Sequence, residues 1–100
     1  MTIGILVNTN KHLDAIVGIA KAAPAKGHKV DVFVMDDGTK LLANPEFSGL
    51  CKLSGVKMSF CDHSAKELGS KTEGMPEEII CGSQFNNANM NHESDRTLVL

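Results

Sequence analysis

The chain has no tryptophan and no tyrosine, and its four aromatic residues are all phenylalanine. That removes the stacking platforms on which proteins hold single-stranded bases. Positive charge is also sparse. Ten Lys and Arg stand against twelve Asp and Glu, with no basic stripe to follow a phosphate backbone. Direct nucleic-acid binding is therefore not expected. No apolar run approaches the roughly 20 residues that cross a bilayer, so no membrane partner is expected either. The first residues lack a basic segment, a long apolar stretch and a small-residue cleavage site. The three cysteines form neither an even set nor a CxxC pair. An odd set of this kind suits a reducing compartment, and the expected location is cytoplasmic. Glycine-rich phosphate loops are missing too. The turn after the first apolar run is Asn8-Thr9-Asn10-Lys11-His12, which matches no nucleotide-binding fingerprint.

What remains is an ordinary globular composition, 42% hydrophobic and 22% charged, which supports one domain over residues 1–100 with a single core. Thr2 to Val7 is a continuous apolar run of strand length, as in strands buried on both faces. From Lys11 the period becomes helical, with Leu13, Ile16, Val17 and Ala20 on one face and Gly27 as a terminator. Pro24 predicts a kink or a last turn of altered geometry from about Ala20. Val30 to Met35 reads as the second strand, and Asp36-Asp37-Gly38 as a turn. Asn44-Pro45 opens a second helix whose stripe is Phe47, Leu50, Cys51 and Leu53, ended by Gly55. Val56 to Phe60 is the third strand. A helix follows, capped either by Ser64 in a capping box with Glu67 or by Asp62. Glu77 to Cys81 reads as strand four with Gly82-Ser83 as its turn, Gln84 to Glu93 as an asparagine-rich helix, and Arg96 to Leu100 as a last strand. Strand and helix alternate throughout. The expected architecture is α/β, with a mostly parallel sheet and helices on both faces.

In such sheets chemistry gathers at the carboxyl ends of the strands. That edge carries Cys61, at a strand-to-helix junction where unpaired N–H groups favour negative charge. A free thiol with a pKa of about 8.5 is only about 3% thiolate at pH 7. Reaching half thiolate takes roughly 2 kcal/mol, near the upper limit of what a helix N-terminus supplies. Cys61 is the candidate reactive residue, with His63 as support for its thiolate. The plain alternative is a buried structural cysteine, the commoner fate of the residue. Cys51 reads as core by its helical spacing, and Cys81 as the end of a buried strand. A Cys61–Cys81 pair depends on a separation that sequence does not give. Cys61-x-His63, with His12 and His92, matches no zinc spacing, so no metal or cofactor is expected. Asp36-Asp37 reads as a pair of solvated turn carboxylates, and the asparagine run from Asn86 to Asn91 suggests no mechanism.

Several ordered phrases point to one family. They are Gly27-His28-Lys29-Val30-Asp31-Val32-Phe33, then Asp37-Gly38, then Phe60-Cys61-Asp62-His63-Ser64-Ala65 with Leu68-Gly69. Gly82-Ser83 and Glu93 to Leu100 complete the set. Together they resemble the DsrE/DsrF/TusD-like sulfur-relay family over essentially the whole chain. The resemblance implies a three-layer α/β/α sandwich with a five-stranded, mostly parallel sheet. It also implies a homo-oligomer, trimer or hexamer, and a small sulfur-transfer protein working between sulfur-donor and acceptor proteins. Only Cys61 inherits the carrier role, holding sulfane sulfur as a persulfide. The competing expectation is a non-catalytic oligomeric module on the same fold that binds a small molecule or a protein, since no general base is evident.

Overall fold

Strands β1 (Thr2–Val7), β2 (Lys29–Val34), β3 (Val56–Cys61), β4 (Ile80–Gly82) and β5 (Arg96–Val99) form one sheet. Their order is β4-β3-β2-β1-β5 and every pairing is parallel, in a computed structural model that describes residues 1–100. The connections are α1 (Leu13–Ala25), α2 (Pro45–Ser48), α3 (Asp62–Glu67) and α4 (Gln84–Glu93). Steps from β1 to β4 all run one way along the sheet. Right-handed crossovers therefore place α1, α2 and α3 on one face. The return from β4 to β5 runs the other way, across the width of the sheet, and places α4 alone on the opposite face. This is the α/β/α sandwich expected from the sequence. No helix is long and apolar enough to cross a membrane.

Alternation along the strands feeds two cores of unequal size. Ile5, Val7, Val32, Val34, Met58 and Phe60 point into the larger one, beneath Ile16 and Ala20 of α1, Phe47 of α2 and Ala65 of α3. Each such side chain contributes roughly 1.5–3 kcal/mol by leaving water. On the other face Phe33, Cys61 and Met90 form a smaller cluster under α4, bordered by Leu6 and Met35. The thiol of Cys61 thus belongs to the α4 side of the sheet.

The sequence and the structure part company in the connections. Residues Asp36–Ala43 and Gly49–Lys52 are 3₁₀ turns, and the α-helix between them is only four residues long. The expected stripe accordingly breaks: Phe47, Leu50 and Cys51 are buried, but Leu53 is 36% exposed. The long second helix is thus corrected to a chain of short turns. Strand β4 begins at Ile80 and includes Gly82, because Pro76 to Ile79 close a turn with the Ile79 N–H donating to the Pro76 carbonyl at 3.2 Å. Helix α1 begins at Leu13 and contains Pro24 in its last turn. There the ladder tightens, with Lys26 donating to Ala23 and Gly27 to Pro24, both at 3.0 Å, before Gly27 turns left-handed at φ 85°.

Two contacts shape the carboxyl edge. Gly38 lies so close to the Val7 carbonyl that any Cβ would collide with backbone. Just before it, Asp36 adopts a left-handed φ of 48°. Fully buried Thr39 then donates its hydroxyl to the Asp36 carbonyl at 2.8 Å. Its one proton is used there, so the 2.7 Å contact with Ser70 is a bond donated by Ser70. This pins the loop after α3 to the turn after β2.

Candidate functional site at the carboxyl edge

Strand β3 runs into α3 without a linker, and Cys61 is the residue on the junction. It occupies the N-cap position, with Asp62, His63 and Ser64 as the first helical residues. Neither Asp62 nor Ser64 caps the helix, as the sequence had suggested. The pairing of β3 with β4 extends through Cys61 itself, so the strand ends one residue before the helix begins. The cap position thereby carries a sulfur where an oxygen is usual.

The sulfur is buried, with Cys61 only 3% exposed. Burial alone pushes its thiol pKa up. The hydroxyl and N–H of Ser64, the side-chain amide of Gln84 and the N–H of His63 outweigh it, and the thiol lies below its ordinary value. The neutral thiol closes no side-chain cap bond. These donors favour the charged form, and their bonds strengthen as charge develops. Helix α3 is only six residues long, so individual N–H and O–H donors act here rather than an extended dipole.

His63 contributes through its backbone. Its imidazole, 85% exposed, turns outward and places Nε2 3.0 Å from Glu67. Asp62 is held by Lys66 at 2.9 Å, which keeps its carboxyl below the usual range. A cleft of about 750 Å³ opens over the sulfur. Met35, Gln84 and Phe85 are among its lining residues, and Asp36, Asp62 and Glu67 bring negative charge to it. Phe85, on the first turn of α4, is 70% exposed.

The other two cysteines sit elsewhere. Cys51 is buried in the larger core, where burial first and the Glu78 charge second raise its thiol. Cys81 is exposed, and partial desolvation of its thiol first, then the charge of Asp62, raise it as well. Cys81 pairs with Phe60 and Cys61 with Gly82. Successive residues of a strand alternate faces, so Cys81 points to the α3 side while Cys61 points to the α4 side. No group of three or more His, Cys, Asp or Glu side chains gathers around a common point, and neither His12 nor His92 lines the cleft over Cys61. Reasoning from sequence missed Gln84 and the donor role of Ser64. The signal for Gln84 was its place next to Ser83, which puts it at the carboxyl edge on the α4 side.

These features define a class: an open parallel α/β protein whose one depressed thiol stands at the carboxyl edge, between two helix starts. The profile of the DsrE/DsrF-like family matches residues 1–100, and the chain belongs to that family. Among solved structures it is similar to the ychN protein from E. coli, with a TM-score of 0.75 and 12% identity over 100% of both chains. It is also similar to MTH1491, a protein of unknown function from Methanobacterium thermoautotrophicum. There the TM-score is 0.70 and the identity 12%, over 99% of this chain and 98% of the other. At that identity the likeness concerns the fold alone. A search of curated proteins returns no match.

Proposed function

We propose that the protein is a small cytoplasmic sulfur-relay carrier in which Cys61 accepts sulfane sulfur and passes it to a partner protein. One observation carries this reading: of three cysteines, only Cys61 has a thiol held below its ordinary value, and the donors Ser64 and Gln84 line the same cleft as Cys61. The chemistry balances without a general base. The Cys61 thiolate attacks the outer sulfur of a donor persulfide, R–S–SH. A bond forms between the two sulfurs, the donor S–S bond breaks, and R–S⁻ leaves with its electron pair. Cys61–S–SH remains, and the proton on the outer sulfur stays where it was. In the second half an acceptor thiolate attacks that outer sulfur and Cys61 departs as thiolate. The donors around Cys61 assist both halves, since they stabilise it first as nucleophile and then as leaving group.

Donor and acceptor proteins would dock at the cleft, where Phe85 offers an exposed anchor. Self-association into a trimer or hexamer fits the exposed apolar side chains on the free edge strand β5, where Val99 is 61% exposed. The second reading is a non-catalytic binding module, favoured by the burial of the Cys61 sulfur beneath a cleft of ligand size. Alkylation of Cys61 across pH separates the two. A midpoint below that of an ordinary thiol supports the carrier. A midpoint at or above about 8.5, or complete resistance to the reagent, supports the module.

A further inference from the structure

Helix α4 is poor in helix formers and carries four asparagines in its ten residues. Two of them join Gln84 in a chain of side-chain amides. Asn91 Nδ2 donates to the Asn87 backbone carbonyl at 3.0 Å and to Asn87 Oδ1 at 2.9 Å. Asn87 Nδ2 donates to Gln84 Oε1 at 3.1 Å. Gln84 Nε2 donates to the Met35 sulfur at 3.7 Å, at the wall of the cleft above Cys61.

The direction of this chain is not arbitrary. A backbone carbonyl can only accept, so the Asn91 side chain must present its NH₂ to Asn87. Asn87 then answers with Oδ1, which leaves its own NH₂ for Gln84. Gln84 answers with Oε1, which leaves its NH₂ for the cleft. The spacing of 84, 87 and 91 puts all three on one helix face, where such amide pairs meet.

We infer that Gln84 is a positioning residue for the Cys61 sulfur, held by Asn87 and Asn91 so that its N–H groups, not its carbonyl, face the cleft. One of its two hydrogens goes to the Met35 sulfur, which leaves the second for the cleft that Cys61 also lines. Reversal of any amide in the chain would turn a carbonyl oxygen toward a sulfur that carries negative charge. The inference rests on the carrier reading for its purpose, but not for its test, because ionisation of Cys61 needs no sulfur donor.

The test is the pH midpoint of Cys61 alkylation, followed by peptide mass, in three variants. Gln84→Leu removes the donor, Gln84→Glu replaces it with an acceptor, and Asn91→Asp leaves position 91 nothing to donate. Aspartate there accepts from Asn87, whose amide must turn, and Gln84 turns in consequence. Position 91 lies about 10 Å along the helix from Gln84, so its charge acts on the sulfur mainly through the chain. All three midpoints should rise, Gln84→Glu most, with alkylation at pH 7 slowed by about twofold to tenfold, the worth of one hydrogen bond. An unchanged midpoint in Gln84→Leu overturns the inference. A shift in Gln84→Leu with none in Asn91→Asp overturns the role of the chain. Should the variants fold poorly, the unmutated protein decides. The Gln84 side-chain amide resonances should titrate with the Cys61 midpoint, and resonances that stay fixed overturn the inference. Loss of sulfur loading with these midpoints intact would count against the carrier reading alone.

Discussion

Cys61 and Cys81 lie on neighbouring paired strands but on opposite faces of the sheet. Phe60, not Cys61, is the register partner of Cys81. Cys61 packs with Phe33 and Met90 under α4, whereas Cys81 shares the face of Phe60, on the α3 side, where the charge of Asp62 raises its thiol. A disulfide needs Cβ atoms about 3.5–4.5 Å apart with converging bonds. Across the thickness of a sheet that geometry is unavailable without undoing β4. Mild oxidation should therefore give no intramolecular Cys61–Cys81 crosslink. A folded monomer lighter by about 2 Da, with those two peptides joined, would contradict the register.

The thiol of Cys61 should depend on Ser64 and barely on the His63 side chain. Ser64→Ala removes the hydroxyl donor and should raise the alkylation midpoint by the worth of a hydrogen bond, about 0.5–1.5 kcal/mol. His63→Ala keeps the backbone N–H and removes an imidazole already turned to Glu67. Its midpoint should stay within error of the parent. The opposite ranking would mean that the imidazole swings back over the sulfur in solution.

A depressed thiol also leaves a mark on stability. The folded protein gives up the Cys61 proton at lower pH than the unfolded chain does. Between the two pKa values the unfolded state binds more protons, so stability rises with pH. The gain is fully present above the unfolded value, about 8.5, and is lost as pH falls through the folded one. Urea midpoints for the parent and Cys61→Ala should diverge as pH is raised toward 9, in the parent's favour. A difference that is flat with pH would contradict the donor arrangement.

Gly38 should tolerate no side chain. A Cβ there meets the Val7 carbonyl, so backbone would have to shift, next to the fully buried Thr39. Gly38→Ala should cost about 1–3 kcal/mol in chemical denaturation, within the range for overpacked sites. Gly18→Ala is the control, since nothing lies within 4 Å of its added Cβ. Equal stabilities for the two variants would refute the close approach.

Much of this fold was legible because its three central strands, β1 to β3, are largely buried on both faces. Runs such as Val30 to Met35 leave no other economical reading, and alternation with helical periods forces a parallel sheet. The connections were not legible. Leu50 and Cys51 carry helical spacing, but 3₁₀ turns bury the same residues, and apolar period alone does not separate short turns from one helix. At the site, sequence located Cys61 through its junction. It assigned the cap to Ser64 or Asp62 because oxygen is the usual acceptor, and nothing local showed that pairing with β4 would run to Cys61. The position of Gln84 beside Ser83 put it at the carboxyl edge but not beside Cys61. It approaches Cys61 only because α4 alone crosses the opposite face, a consequence of strand order that appears once β5 is placed beside β1.

The central claim is that Cys61 takes up sulfane sulfur, and peptide-resolved mass spectrometry tests it most directly. The protein is incubated with a sulfurtransferase and its persulfide-forming substrate, trapped with an alkylating agent and digested. One added sulfur, about 32 Da, should appear on the peptide containing Cys61 and not on those with Cys51 or Cys81. Dithiothreitol should remove it. Cys61→Ala should abolish it. No added sulfur under conditions that load a known carrier, or an adduct that persists in Cys61→Ala, would contradict the account.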